Sequence, residues 1–515
     1  MTGQRIIESD PAVRVSTGSE NHSQGRVVLE AARDADASVA TAAVGSTGHV
    51  GLEPLVTATL DGETAFFSEC SPGRARSVTE ALDGGTLPSE DAVAVVEHEP
   101  GAATLPVPDE GPLAVGERGV LGSCGWAVPG SIEDYRAGAG SLPTDLELAD
   151  ALSRLRESGL RGRGRGDASA DAPVADEWTT ASEAAGDPVV VVNANEADDR
   201  AAGDDLLLEG APLSVLDPAL TAAEALGASD VVAYLSEDAD LARERVRAAA
   251  DALVEARDPE ASLRVVVGPD EYKAGEPTMA LEAIEGNHRL EARRRPPGPS
   301  EYGLNGRPTL VHTPRTLAQV GRVLAGVDPG GVPADPGTRL FTVAGDVAAP
   351  ATVELSTGAT LSDALPAVEP EGSRKAACVG GVFGGVTRSL DVPASAPGLE
   401  SARLGTNGAV ELVGESTCMV ALAGERAKFA REENCGRCGP CREGSKQLVD
   451  LLRDVYDGEF ADGMLRELGR TMRETSLCGF GSDAARPVTT TIDVFETEFH
   501  AHADGRCPSG TCTKL

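Results

Sequence analysis

Four cysteines restrict this chain more than any other feature. Cys435-Gly-Arg-Cys438-Gly-Pro-Cys441 sets three thiols two residues apart on a Gly/Pro loop, and Cys478 follows later on Leu-Cys-Gly. Three thiolates at that spacing grip three corners of a cubane cluster, and a fourth ligand comes from elsewhere. The fold must therefore bring Cys435, Cys438, Cys441 and Cys478 to one point. Zinc is the rival reading, but it takes ligands as two pairs closing a tetrahedron, which a triplet plus one fits less well. Buried free cysteines are the bland alternative. The N-terminus MTGQRIIESD has no apolar leader, and no apolar run approaches the ~18 residues of a membrane span. The ten cysteines are accordingly expected in the cytoplasm, where clustering points to metal or redox chemistry.

The charge balance excludes some partners. Against 82 acidic residues stand 45 basic ones, a formal net charge of −37. Nucleic acid and anionic membranes need clustered Lys and Arg, so neither is expected, and no direct membrane insertion is expected either. Self-repulsion is screened at ~1 M salt, where the Debye length is ~3 Å, so a salt-adapted (halophilic) cytoplasm is the expected setting. Aromatics are only 3%, so the cores must be built from Ala, Val and Leu.

Periodicity places the elements. Leu448, Leu451, Leu452 and Val455 recur at helical spacing after the cysteine loop, which puts the loop in a small helical domain. Upstream, Val189–Val192, Val231–Leu235 and Leu263–Val267 read as buried strands. Ala242, Val246, Ala249, Ala250 and Leu253 form the stripe of a helix between the last two. Such alternation implies a mainly parallel sheet covered by helices, with ligands beyond the strands' C-terminal ends. Asn193-Ala-Asn-Glu196 follows the first strand. Gly275-Glu-Pro-Thr278 follows the third and opens a helix at Met279, whose N-terminus is a natural phosphate seat. Polar loops after strands are common without any ligand.

The run Glu433-Asn-Cys-Gly-Arg-Cys-Gly-Pro-Cys-Arg-Glu-Gly444 resembles the signature of the NADH-binding flavoprotein subunit of respiratory complex I, a module also found in NAD-linked hydrogenases and formate dehydrogenases. Leu404-Gly-Thr-Asn-Gly, Ser416-Thr-Cys-Met419 and Cys478-Gly-Phe-Gly481 resemble its approach to and exit from the cluster. The resemblance implies a [4Fe-4S] cluster, FMN and NAD(H). Ser158-Gly-Leu-Arg-Gly-Arg-Gly164 is similar to the start of the family's glycine-rich flavin loop. By likeness, Gly162, Gly164, Asn193, Glu196, Gly275, Glu276 and Thr278 are the expected cofactor-binding residues. The departures are pointed: Arg165 and Asp167 stand where the family has small residues, Pro277 replaces a Glu, His312-Thr313 replace paired Asn, and Asp198 shortens a Glu tied to NADH.

The resemblance also divides the chain, an α/β multidomain protein. It implies a degenerate thioredoxin-like domain over 1–105, without cluster ligands and serving as a docking surface. An FMN/NADH-type parallel-sheet domain follows over 106–335, a β-grasp (ubiquitin-like) domain over 336–404, a helical [4Fe-4S] domain over 405–500 and a His/Cys tail over 501–515. In that tail His502, Cys507 and Cys512 form a candidate zinc set, beside His500. The expected function is electron transfer from NADH through FMN and the cluster to a partner, such as a small thioredoxin-like or ferredoxin-like iron–sulfur subunit, with no residue acting as a covalent catalyst. The alternative is a non-catalytic relay or scaffold that kept the cluster and lost nucleotide binding.

Overall fold

The computed structural model describes residues 5–35, 37–138 and 146–512. The apolar runs of the middle region form one four-stranded sheet, in the order Ser262–Gly268, Asp230–Ser236, Val189–Ala194, Thr309–His312. Every pairing in it is parallel. Val189–Val192 is fully buried because helices cover both faces. The expected stripe on Asp240–Arg257 is buried in full. The core around it is Ala, Val and Leu, with Trp178 among its few aromatics.

The order of that sheet fixes where a ligand fits. The chain runs from the Val189 strand outward to one edge, then returns to place Thr309–His312 on the opposite side. The reversal opens a crevice between Val189–Ala194 and Thr309–His312 at their C-terminal ends. Helix Pro314–Leu324 begins directly after His312-Thr313, so its N-terminus faces that crevice.

The N-terminal unit is a five-stranded sheet in the order Ala40–Val44, Ala12–Ser16, Leu55–Leu60, Glu63–Phe67, Ala94–Glu97, with helices His22–Arg33 and Pro72–Asp83 beside it. Only its first pairing is parallel. This arrangement is thioredoxin-like. Cys70 packs in its core, whereas Cys124 packs in the core of the parallel-sheet unit.

A second five-stranded sheet runs Ala351–Ser356, Thr338–Gly345, Ala409–Gly414, Arg374–Val379, Gly385–Thr387. Its central pair is parallel, as in a β-grasp. Because Ala409–Gly414 hydrogen-bonds on both sides, the expected boundary between 404 and 405 falls inside this unit. Helices Met419–Glu433, Gly439–Tyr456, Asp462–Thr475, Gly479–Asp483 and Arg486–Ala503 then form the C-terminal bundle. Leu448, Leu452 and Val455 are buried in it, and Leu451 is half-buried. No single helix among the described residues is long and apolar enough to cross a membrane.

Candidate metal centre and nucleotide crevice

The cysteine loop is held from both ends. Asn434 accepts the Gly436 N–H through Oδ1 (3.0 Å), and Arg442 donates to the Gly436 carbonyl (2.7 Å). Cys438 caps helix Gly439–Tyr456, which brings Cys441 into its first turn. Cys478 caps the short helix Gly479–Asp483. Gly481 lets this helix close on the loop: a Cβ there would lie 2.9 Å from Cys441 Cβ and 2.5 Å from Ser476 Oγ. Cys435, Cys438, Cys441 and Cys478 consequently line one small cavity with Met279, Ala292, Leu477 and Phe480. Burial pushes the Cys478 thiol up to about 12, with Glu276 adding to the effect. Cys441 is raised by burial first and then by the three other thiols. Thiolates packed like this need cations among them, so the donor set fits an iron–sulfur cubane.

A larger cavity of about 390 Å³ adjoins it, where the parallel sheet, the β-grasp unit and the bundle meet. Gly164, Arg165, Tyr272, Glu276, Phe383 and Asn407 are among the residues lining it. Phe480 lines both cavities, so one side chain separates them. Its ring packs edge-on against Phe383 (4.9 Å) and Tyr272 (5.7 Å), and Phe429 joins them. In a chain with so few aromatics, this group gathers at the boundary between the cysteine cavity and the larger one.

The crevice itself is filled by the chain's own loop. Asn193 Nδ2 donates to the Gly166 carbonyl (2.8 Å) and the Gly275 carbonyl (3.0 Å). Glu196 is buried between Arg165 (3.0 Å) and Arg315 (3.3 Å). Arg165 lies over the Tyr272 ring at 3.8 Å. Gly162 and Gly164 face this loop and Arg315 closely enough that a Cβ at either would collide. The phosphate seat expected at Met279 is taken: the helix starts at Pro277, and Glu276 Oε2 accepts the Thr278 and Met279 N–H groups (2.9 and 3.0 Å). A carboxylate one residue ahead of a helix is its own anion. Thr278 Oγ1 accepts from Arg293 N (3.0 Å). Asp198 reaches across to the β-grasp unit, accepting the Val382 N–H (2.8 Å). Arg165, Asp167, Ala168 and Ala170 of this loop also form part of the wall of the larger cavity.

A second ligand set lies at the end of the bundle. Cys418, His502, Cys507 and Cys512 offer ligand atoms within 4.8 Å of one another. His502 Nδ1 donates to the Glu498 carbonyl (2.7 Å), leaving the Nε2 lone pair toward Cys418 Sγ (3.3 Å). That hydrogen bond fixes the tautomer a metal requires. The tail pattern supplied three of these four. Cys418, the cap of Met419–Glu433, was missed because nothing local ties it to the tail; the need for a fourth ligand was the available signal. His500 points outward toward Glu496.

Comparison with known proteins agrees with this layout. Residues 155–322 match the Nuo51 FMN-binding domain, and residues 421–502 match the NADH-ubiquinone oxidoreductase-F iron-sulfur binding region. The NADP-reducing hydrogenase subunit HndC of Solidesulfovibrio fructosivorans is 30% identical over 76% of this chain and 85% of its own length. The F subunit of NADH-quinone oxidoreductase from Streptomyces coelicolor is 32% identical over 73% of this chain and 87% of its own. This chain belongs to the family of NADH-quinone oxidoreductase F subunits. Within the family fold, a crystal structure of NAD+-reducing [NiFe]-hydrogenase in the H2-reduced state superposes with a TM-score of 0.65 at 24% identity, covering 96% of this chain and 85% of that one. The second matched region contains all four cysteines of the small cavity, and the first contains the crevice and its loop.

Proposed function

We propose that this family member is the electron-input subunit of a cytoplasmic NADH-linked oxidoreductase, with Cys435, Cys438, Cys441 and Cys478 holding a [4Fe-4S] cluster. The convergence of those four sulfurs on one cavity is the observation that carries the reading. FMN, when bound, supplies the conversion from a two-electron hydride donor to a one-electron acceptor. The chain's own residues do the rest. Asn193, Glu196, Gly275, Glu276 and Thr278, with Gly162 and Gly164, shape the crevice. Tyr272, Phe383 and Phe480 keep water from the cluster, and the cluster passes electrons to a partner subunit. The thioredoxin-like unit offers a docking surface for that partner.

The filled crevice favours a second reading, a relay or scaffold that keeps the cluster and takes no nucleotide. Protein isolated without oxygen in high salt, then given FMN and NADH, separates the two. Flavin absorbance that bleaches with NADH supports electron input. A cluster signal with no flavin uptake supports the relay.

We further assign zinc to Cys418, His502, Cys507 and Cys512, a Cys3His set of the structural kind. Metal analysis should give one zinc beside four irons per chain. Cys418→Ser should lose the zinc and keep the iron, and zinc retained in that variant contradicts the assignment.

A further inference from the structure

The short helix Gly479–Asp483 stands between two cavities. On one side Cys478, its cap, lines the cysteine cavity. On the other, Ser482 and Asp483 form part of the wall of an open groove of about 440 Å³, shared with helix Asp462–Thr475 and the 400–404 turn. Five of the twelve residues lining this groove are arginines: Arg403, Arg466, Arg470, Arg473 and Arg486. Only 45 of the 515 residues are basic, so the groove is a cationic feature and not a sample of the surface. Two carboxylates, Glu400 and Asp483, line it with them.

The other acidic partners of these arginines stand outside the lining. Asp493 is shared by Arg403 and Arg466, and Asp462 holds Arg466 as well (2.7 Å). Glu467 (2.6 Å) and Glu474 (2.9 Å) hold Arg470. Arg473 is 61% exposed, makes no hydrogen bond among the described residues and lies 3.9 Å from Glu474. The cluster side of the helix is bare and also cationic. Gly439 and Gly479 are exposed, and a Cβ built on either meets nothing within 4 Å. Cys435, Cys438 and Cys478 are only half-buried. Arg437 lines their cavity with no ion pair or hydrogen bond among the described residues, and Arg442 and Lys446 share one carboxylate, Glu443. A protein seated in the groove therefore lies beside an uncovered edge of the cysteine site.

We propose that this groove docks an acidic segment of the iron–sulfur partner that takes electrons from the cluster, with Arg470 and Arg473 setting the affinity. Two acidic proteins repel as wholes, so they associate where one offers a local surface of opposite sign. The proposal rests on the reading that the cluster passes electrons to a partner. In that step the reduced cluster gives one electron to the partner's oxidised iron–sulfur centre, and no atom or proton moves with it.

The test uses the whole chain with its cluster, kept in high salt, and titrates it by calorimetry with a plant-type [2Fe-2S] ferredoxin of strongly negative net charge. The unaltered chain should bind it, and more weakly as salt rises from ~0.5 to ~2 M, because screening removes charge contacts. Arg473→Glu should lower the affinity by about fivefold or more, and the milder pair Arg470→Gln with Arg473→Gln should act in the same direction. Arg247→Glu, on the exposed side of Asp240–Arg257, makes the same change in net charge in another unit and should change the affinity less than twofold. An unchanged EPR signal of the reduced cluster shows that each variant is folded. No binding by the unaltered chain, equal affinities for Arg473→Glu and Arg247→Glu, or binding that tightens with salt would each overturn the proposal. So would a dimer in sedimentation that Arg473→Glu dissolves, since a second copy would then be the occupant. In all of these cases a cluster signal that appears on NADH addition leaves the electron-input reading standing, whereas protein without any cluster signal fails that reading itself.

Discussion

At the level of single residues, the cluster reading depends on individual sulfurs. Replacing Cys438 by Ser should abolish the EPR signal of the reduced cluster and leave any flavin in place, since the crevice residues do not touch it; an unchanged signal would show that the ligand assignment is wrong. A different residue tests the frame around the crevice. Asp335 is fully buried between Arg163 (2.8 Å) and Arg339 (2.8 Å). Burial alone would raise its carboxyl, but the two guanidiniums hold it below the usual carboxylate range. Its folded pKa is therefore below its unfolded value of about 4, so its contribution is complete above pH ~4 and is lost as pH falls through the depressed value. Asp335→Ala leaves two buried cations and should cost about 3–5 kcal/mol near neutral pH, read from thermal unfolding, with the deficit shrinking in acid. A constant deficit across pH would contradict this.

Among the secondary-structure elements, the short helix Gly479–Asp483 sets the distance between Cys478 and the 435–441 loop. Gly481 is its point of closest approach, and Gly479 has nothing within 4 Å of a built Cβ. Gly481→Val should push the helix off Cys441 and reduce cluster iron by more than half, while Gly479→Ala should retain it. Iron content in the two purified variants checks this, and equal iron in both would show that the helix does not set the site. Much at this level was legible in the sequence. The apolar runs of the parallel sheet fell where strands formed: burial on both faces leaves an uninterrupted Val/Ala signal in Val189–Ala194 and Asp230–Ser236, whereas Ser262–Gly268, expected to be buried, is an edge strand and only partly covered. The cysteine spacing indicated its loop because ligand geometry is local. What was not legible is long-range: that Cys418 meets the tail, that Ala409–Gly414 closes the β-grasp sheet, and that Glu276 fills the phosphate seat ahead of Pro277–Ile284. The sequence showed Asp167 as a wrong charge in a loop; only the fold shows that its partners are His312, Thr313 and Ser169.

Across the whole molecule, charge dominates the response to solvent. A net charge of −37 repels itself in dilute buffer, and salt shortens the range of that repulsion. The thermal midpoint should rise steeply between ~0.1 and ~1 M salt and flatten above it, where the Debye length falls to ~3 Å. A midpoint independent of salt would show that the acidic surface has no part in stability. The architecture itself points in one direction. A nucleotide crevice, a cavity beside it and a cysteine cavity behind one phenylalanine lie in series, an order suited to carrying electrons inward from a soluble donor. EPR of the anaerobically isolated, FMN-supplied chain, before and after NADH, tests that order most directly. A reduced four-iron cluster signal should appear on NADH addition. Protein that shows no cluster signal even with a strong chemical reductant would mean that the four sulfurs hold no cluster at all.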